Sequence, residues 1–142
     1  MESQSFSNHV RVHPVYHYFT VPVSLGLVLA ALVNLILYFS LGSAILFISM
    51  VVLHLAIFLG RDYAKKNQDR IIRAELRLRY FQLTGQRLEE MENHLAIGQL
   101  LALRFASDAE LVEFIQNPET QKKSPEAIKH QIIQWNADWM RV

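Results

Sequence analysis

From Val15 to Gly60 the chain carries no Asp, Glu, Lys or Arg. No other feature constrains its fold so tightly. A helix needs about 20 apolar residues to cross the hydrocarbon core of a membrane, and this run is about twice that length, so it predicts two crossings. The break between them is readable: Tyr38-Phe39-Ser40-Leu41-Gly42-Ser43 sets aromatics at an interface and then small turn formers. Helix one is expected at about Val15–Phe39 and helix two at about Ser43–Gly60. The competing reading is a cleaved signal peptide, which needs a basic leader and a short apolar core. The first fourteen residues hold one Arg and the apolar run is too long.

The charges fix the expected orientation. The connecting turn has no Lys or Arg, whereas several follow Gly60 within two helical turns. Basic residues mark the cytoplasmic side, so residues 1–14 and the chain beyond Gly60 are both expected in the cytoplasm. Tyr16, Tyr18 and Phe19 then lie at the inner interface as an aromatic belt, and Pro22 in the first turns of helix one, where a missing N–H is tolerated.

Helical patterning does not stop at the membrane. After Gly60 neither Pro nor Gly occurs until Gly85. Three–four spacing selects Leu46, Met50, Leu53, Ile57, Gly60, Ala64, Asn67, Ile71, Ala74, Leu78 and Phe81, a heptad seam passing from lipid into cytoplasm. Gly60, Ala64 and Ala74 are small enough to admit a partner helix closely. A second apolar face, Ile72, Leu76, Tyr80 and Leu83, also needs cover, and one small domain can hardly cover both, so oligomerisation or a partner subunit is expected. Residues 61–83 form a basic juxtamembrane helix. Within 61–81, seven basic side chains face three acidic ones, for a net +4. Arg61, Lys65, Lys66, Arg70, Arg73 and Arg77 are candidates for contact with lipid headgroups or an acidic partner. Lys65 and Lys66 reach anionic headgroups. Arg77 is too far from the membrane for that and is expected to pair with the acidic C-terminal part or stay solvated.

Residues 84–142 hold six basic and nine acidic side chains, a net −3. They read as a small bundle of short helices at Arg87–His94, Gly98–Phe105, from a Ser107/Glu110 capping box to Asn117-Pro118, and from Ser124-Pro125 through Ile128, Ile132 and Ile133. The tail from Trp135 is expected to dock back on the protein. The acidic balance argues against nucleic-acid binding, which requires phosphate neutralisation.

The chemistry available is sparse. Cysteine is absent, which excludes disulfides, thiolate metal sites and thiol nucleophiles. No phosphate loop, nucleophile motif or carboxylate pair appears, so no enzyme is expected, and no cofactor. His9, His13 and His17 recur at four-residue spacing and would share a helical face as zinc or copper ligands; Pro14 and the lack of a nearby carboxylate favour interfacial histidines instead. His54 lies inside helix two, and an intramembrane ionisable residue is a functional candidate by default. With His17 it would ligate a haem, or it would meet a quinone. Their unequal depths favour a neutral His54 hydrogen-bonded to the other helix or to a backbone carbonyl. Asn34 and Ser49 are read as interhelical hydrogen-bonding groups.

Gln68-Asp69-Arg70-Ile71-Ile72-Arg73, the run Leu100-Leu101-Ala102-Leu103-Arg104-Phe105-Ala106-Ser107-Asp108 and the closing Trp135, Asp138, Arg141 and Val142 resemble DUF6526, a family of small bacterial membrane proteins of unknown function. Asn8-His9, Pro14 and His17 fit the same pattern. The resemblance implies an all-α two-helix hairpin with a cytoplasmic helical tail in a bacterial inner membrane, and no assigned activity. The expectation is a non-enzymatic membrane scaffold or accessory subunit, homo-oligomeric or part of a larger complex, working through the seam. The alternatives are a small homo-oligomeric channel, for which Asn34, Ser49 and His54 are the intramembrane polar candidates, and a haem- or quinone-binding subunit.

Overall fold

The computed structural model describes residues 4–9 and 12–139. Met140, Arg141 and Val142 of the C-terminal tail, and parts of the 1–14 segment, lie outside the described residues. All secondary structure among the described residues is helical, without strands. The chain forms two units: residues 12–66, and the N-terminal residues 4–9 together with residues 67–139.

The first unit is a helical hairpin. Its chain enters as a π-helical turn, Val15–Thr20, and continues as α1, Val21–Leu37. Pro22 accounts for the widened turn. It is the second residue of α1, directly after the π-helical turn, and it has no N–H to return to the carbonyl four residues back. The hydrogen bonding shifts instead to five-residue spacing, with Val21 N–H reaching Tyr16 O. Tyr38 leaves the helix at φ −131°, ψ 65°, so α1 ends at Leu37, two residues short of the expected Phe39. The next helix, α2, spans Leu41–Thr84. It starts two residues before the expected Ser43 because Ser40 caps it. Ser43 N–H donates to Ser40 Oγ at 3.1 Å, and Ser40 N–H donates to Ser43 Oγ at 2.9 Å. This is a reciprocal capping box with serine in the role more often taken by Glu.

Both segments are long and apolar enough to cross a membrane, and only 11% and 6% of their most apolar windows are buried. The central helix of a water-soluble fold would be largely covered. The less exposed positions trace the line of pairing: Ser24, Val28, Ala31 and Leu35 on α1, and Ser43, Phe47, Met50, His54 and Ile57 on α2. The seam expected from sequence is thus only partly used inside this unit. Met50 and Ile57 are half-buried, while Leu46, Leu53 and Gly60 remain exposed.

In the second unit the core gathers Ile72, Leu76 and Tyr80 from α2 with Leu88, Leu100, Leu103, Phe105, Leu111, Ile128 and Ile132. Helix α2 ends at Gly85, whose φ of 71° is left-handed and whose N–H returns to Phe81 O at 2.8 Å; glycine takes this conformation without a Cβ penalty. The chain turns away there, so Leu83, expected to share the covered face, is exposed. The helix expected at Arg87–His94 is instead two 3-10 turns, Leu88–Glu90 and Glu92–His94. A stretch this short has no strong helical preference of its own. Tertiary burial of Leu88 and Glu92 decides the local shape.

Three short helices follow: α3 (Ile97–Leu103), α4 (Asp108–Gln116) and α5 (Pro125–Gln131). The Ser107/Glu110 capping box forms as expected, and Ser124 caps α5. Gly98 lets α3 meet α5 closely, since a Cβ there would lie 3.0 Å from Pro125 Cγ. The buried Gln99 amide donates to the carbonyls of Thr120, Gln121 and Lys123, tying α3 to the 3-10 turn Pro118–Lys122 and the residue after it. Glu110 also receives the amides of Ile133 and Gln134, so one carboxylate caps α4 and pins the tail. Burial pushes its carboxyl up, but the amides of Ile133, Ser107 and Gln134 and the Ser107 hydroxyl outweigh that and hold it below the usual range. Ile128 and Ile132 are buried; Ile133 is not.

Candidate functional site

Helix α2 between Asn67 and Thr84 presents two contrasting faces. Ile72, Leu76 and Tyr80 enter the core. Ile71, Ala74, Leu78 and Phe81 form an apolar stripe that nothing among the described residues covers; Ile71, Leu78 and Phe81 are 58%, 59% and 52% exposed. Of the two apolar faces read from the sequence, the domain therefore covers one. Arg70 and Glu75 flank the stripe, both exposed and neither with an ion-pair partner among the described residues. Beside its end lies a groove of about 410 Å³ lined by Leu78 and Phe81 and rimmed by Arg77, Arg87 and Glu89.

Three other basic candidates, Arg73, Arg77 and Lys66, are paired with carboxylates. Arg73 and Arg77 both grip Glu92, which is almost fully buried: Arg73 Nη2 lies 2.5 Å from Oε1, Arg77 Nε lies 3.1 Å from Oε2, and Arg77 Nη2 contacts Oε1 more closely still. The Arg77 hydrogen bond, assisted by Arg73 and by both charges, holds the Glu92 carboxyl at about 2 against the opposing effect of burial. Arg79, outside the candidate set, pairs with Asp108 at 2.6 Å. Lys66 closes on Asp62 one turn away at 2.8 Å. Lys65 is exposed and makes no close ion pair among the described residues, though its charge acts on Asp62.

Within the hairpin, His54 Nδ1 lies 2.9 Å from Ser24 Oγ on α1. Ser24 Oγ donates to Val21 O at 3.0 Å, so its remaining capacity is to accept, and His54 Nδ1–H is the donor. That is a cross-helix link, the reading favoured over a haem or quinone ligand. Sequence reasoning missed Ser24. The signal was available: Ser24 and His54 stand equally far before and after Phe39, as residues facing each other in an antiparallel hairpin must. Ser49 is exposed, and Asn34 lines a groove of about 190 Å³ with Leu27, Ala31 and Met50.

The other histidines do not assemble into a ligand set. Among the described residues no group of three or more His, Cys, Asp or Glu side chains is placed to hold a metal ion. His17 Nδ1 lies 3.0 Å from His13 O, and Tyr16 N–H donates to His13 Nδ1. His9 is buried in the second unit, its ring 5.9 Å from that of Phe105 and 5.8 Å from that of Trp135. Its Nδ1 lies 2.6 Å from Phe6 O, and its Nε2 faces Lys129 Nζ at 3.3 Å. Gln4 exchanges two hydrogen bonds with the Asp138 backbone. Residues 4–9 therefore strap onto the tail and α5 by contacts that no local motif announces.

At the entry to the hairpin, His13, Tyr16, Ala56, Ile57, Gly60 and Arg61 line a groove of about 320 Å³. The Arg61 guanidinium stacks on the Tyr16 ring, 4.4 Å from its centroid.

These features define an all-α protein with two long apolar helices followed by a domain of short helices. Over residues 1–142 the chain matches the family of unknown function DUF6526, and it belongs to that family. No curated protein and no solved structure matches it.

Proposed function

We propose that this chain is a non-enzymatic scaffold of a bacterial inner membrane, both termini cytoplasmic, that associates with a second copy of itself through α2. The exposed stripe Ile71, Ala74, Leu78 and Phe81 carries the reading. Fully burying one large aliphatic or aromatic side chain contributes about 1.5–3 kcal/mol, and three such side chains stand uncovered on one helical face. The topology is supported by the second unit itself, since residues 4–9 pack with residues 67–139. A chain that crosses twice returns its ends to the same side.

A second copy is favoured over an unrelated subunit by charge. Copies inserted alike in one membrane run their α2 helices parallel. With Ile71 and Leu78 at a positions and Ala74 and Phe81 at d, Arg70 falls at g and Glu75 at the following e. A parallel pair sets each g residue against that e residue of the other helix, so Arg70 of one copy meets Glu75 of the next, twice by symmetry.

The chain has no cysteine, so single cysteines report contact directly. Ala74→Cys and Leu78→Cys are expected to form disulfide-linked dimers on mild oxidation in membranes, while Asn93→Cys, on an exposed turn, is not. A monomeric mass in nanodiscs, with no linkage at Ala74 or Leu78 above that at Asn93, would overturn the proposal. Linkage to a different polypeptide would replace the second copy by a partner subunit.

A further inference from the structure

We propose that the groove lined by His13, Tyr16, Ala56, Ile57, Gly60 and Arg61 binds an anionic phospholipid, its acyl chain on the apolar floor and its phosphate at Arg61. The proposal rests on the membrane reading above and does not use the exposed stripe Ile71, Ala74, Leu78 and Phe81.

The floor is open and apolar. A Cβ built on Gly60 would meet nothing within 4 Å, and Ala56 and Ile57 continue the surface. The groove lies where the uncharged run ends: Gly60 is its last residue and Arg61 the first charge after it. An amphiphile with an anionic head matches that sequence of surfaces.

The head of the site is built by stacking. Arg61 lies over the Tyr16 ring, which positions the guanidinium by its face. Its in-plane N–H donors have no hydrogen-bond acceptor among the described residues. Guanidinium N–H groups match the paired oxygens of a phosphate. Tyr16 N–H donates to His13 Nδ1, so in the neutral ring the proton sits on Nε2, which supplies a further donor. One turn beyond Arg61, Lys65 adds a positive charge that makes no close ion pair among the described residues, although it acts on Asp62 at longer range, whereas Lys66 is closed on Asp62. A cation near the surface of an anionic leaflet is attracted to it, and a stacked arginine beside an apolar groove of about 320 Å³ directs that attraction to one molecule.

The test is native mass spectrometry of the full-length chain released from detergent after loading with phosphatidylglycerol or phosphatidylcholine of the same acyl length. The wild-type chain is expected to retain one phosphatidylglycerol at least fivefold over phosphatidylcholine. Arg61→Gln should abolish that preference while leaving some retention of both lipids. Gly60→Leu, which fills the floor, should lower retention of both. Equal retention of the two lipids by the wild-type chain, or an undiminished preference in Arg61→Gln, would overturn the proposal. The membrane reading is checked separately: a wild-type chain stripped from membranes by alkaline carbonate removes that reading, and this inference with it. A chain that resists carbonate but shows no headgroup preference removes this inference alone.

Discussion

Ser24 on α1 and His54 on α2 face each other 2.9 Å apart across the hairpin, the serine accepting from the imidazole while it donates to Val21 O. Hydrogen bonds between membrane helices contribute about 0.6 kcal/mol on average and rarely more than about 1.7. A double-mutant cycle of Ser24→Ala and His54→Leu, read by unfolding in mixed micelles, should give a coupling energy of about 1 kcal/mol. Strictly additive single variants would show that the pair contributes nothing to the hairpin.

Glu92 makes the second unit acid-sensitive in a defined window. Its carboxyl titrates near 2 in the fold against 4.5 when unperturbed. A depressed carboxylate stabilises fully above its unfolded value, and that contribution falls away as pH drops toward the folded one. The shift corresponds to about 3 kcal/mol. Arg73 and Arg77 are 43% and 35% exposed, and water screens them, so about 2 kcal/mol is expected. Glu92→Gln should lower stability by about that amount at pH 7 and flatten most of the loss between pH 5 and pH 2, measured by urea unfolding followed through tryptophan fluorescence. An unaltered acid profile in the variant would place the sensitivity elsewhere.

What the sequence reveals divides by the range of the interaction. The Ser107/Glu110 box, the Ser124 cap with Pro125 and the turn at Ser40 are decided within four residues, and local patterns expose them. The existence of two apolar helices follows from the uncharged run. What stays hidden depends on where distant segments meet. Glu92 reads as one more acidic residue of a surface helix, yet it is buried because Arg73 and Arg77 await it 19 and 15 residues earlier. Gln99 reads as a polar helix residue and serves as a buried clamp on three carbonyls. Leu83 continues the periodicity of Ile72, Leu76 and Tyr80, but the left-handed Gly85 ends the helix before the domain reaches it.

The N-terminal strap is the clearest of these long-range effects and gives the third prediction. Gln4 accepts from Asp138 N–H at 2.8 Å and donates to Asp138 O at 3.3 Å, while Phe6 lies 3.6 Å from the His130 ring, centroid to centroid. A hydrogen bond of this kind contributes about 1 kcal/mol net, so Gln4→Ala should speed amide exchange at Asp138 roughly fivefold. His9→Ala uncovers part of Phe105 and Trp135 and should shift Trp135 emission to longer wavelength in a Trp139→Phe background. Unchanged exchange and emission would mean that the strap spends little time docked.

The proposed pairing of α2 with its copy makes the most discriminating prediction, because charge can be reversed and then restored. In a parallel pair Arg70 stands opposite Glu75 of the other copy, at both symmetry-related positions. Arg70→Glu sets two carboxylates together there and should weaken self-association at least tenfold; Glu75→Arg should do the same with two guanidinium groups. The double variant Arg70→Glu, Glu75→Arg restores opposite charges and should recover most of the dimer. Neither residue enters the core or pairs with another charge among the described residues, so a loss of folding does not account for a loss of association. In an antiparallel pair Arg70 and Glu75 would not face each other across the seam, and the double swap would have no contact to restore. Mass in nanodiscs across the four chains therefore reads orientation as well as affinity, and a double variant no better than the singles would reject the parallel arrangement even if the stripe itself proves adhesive.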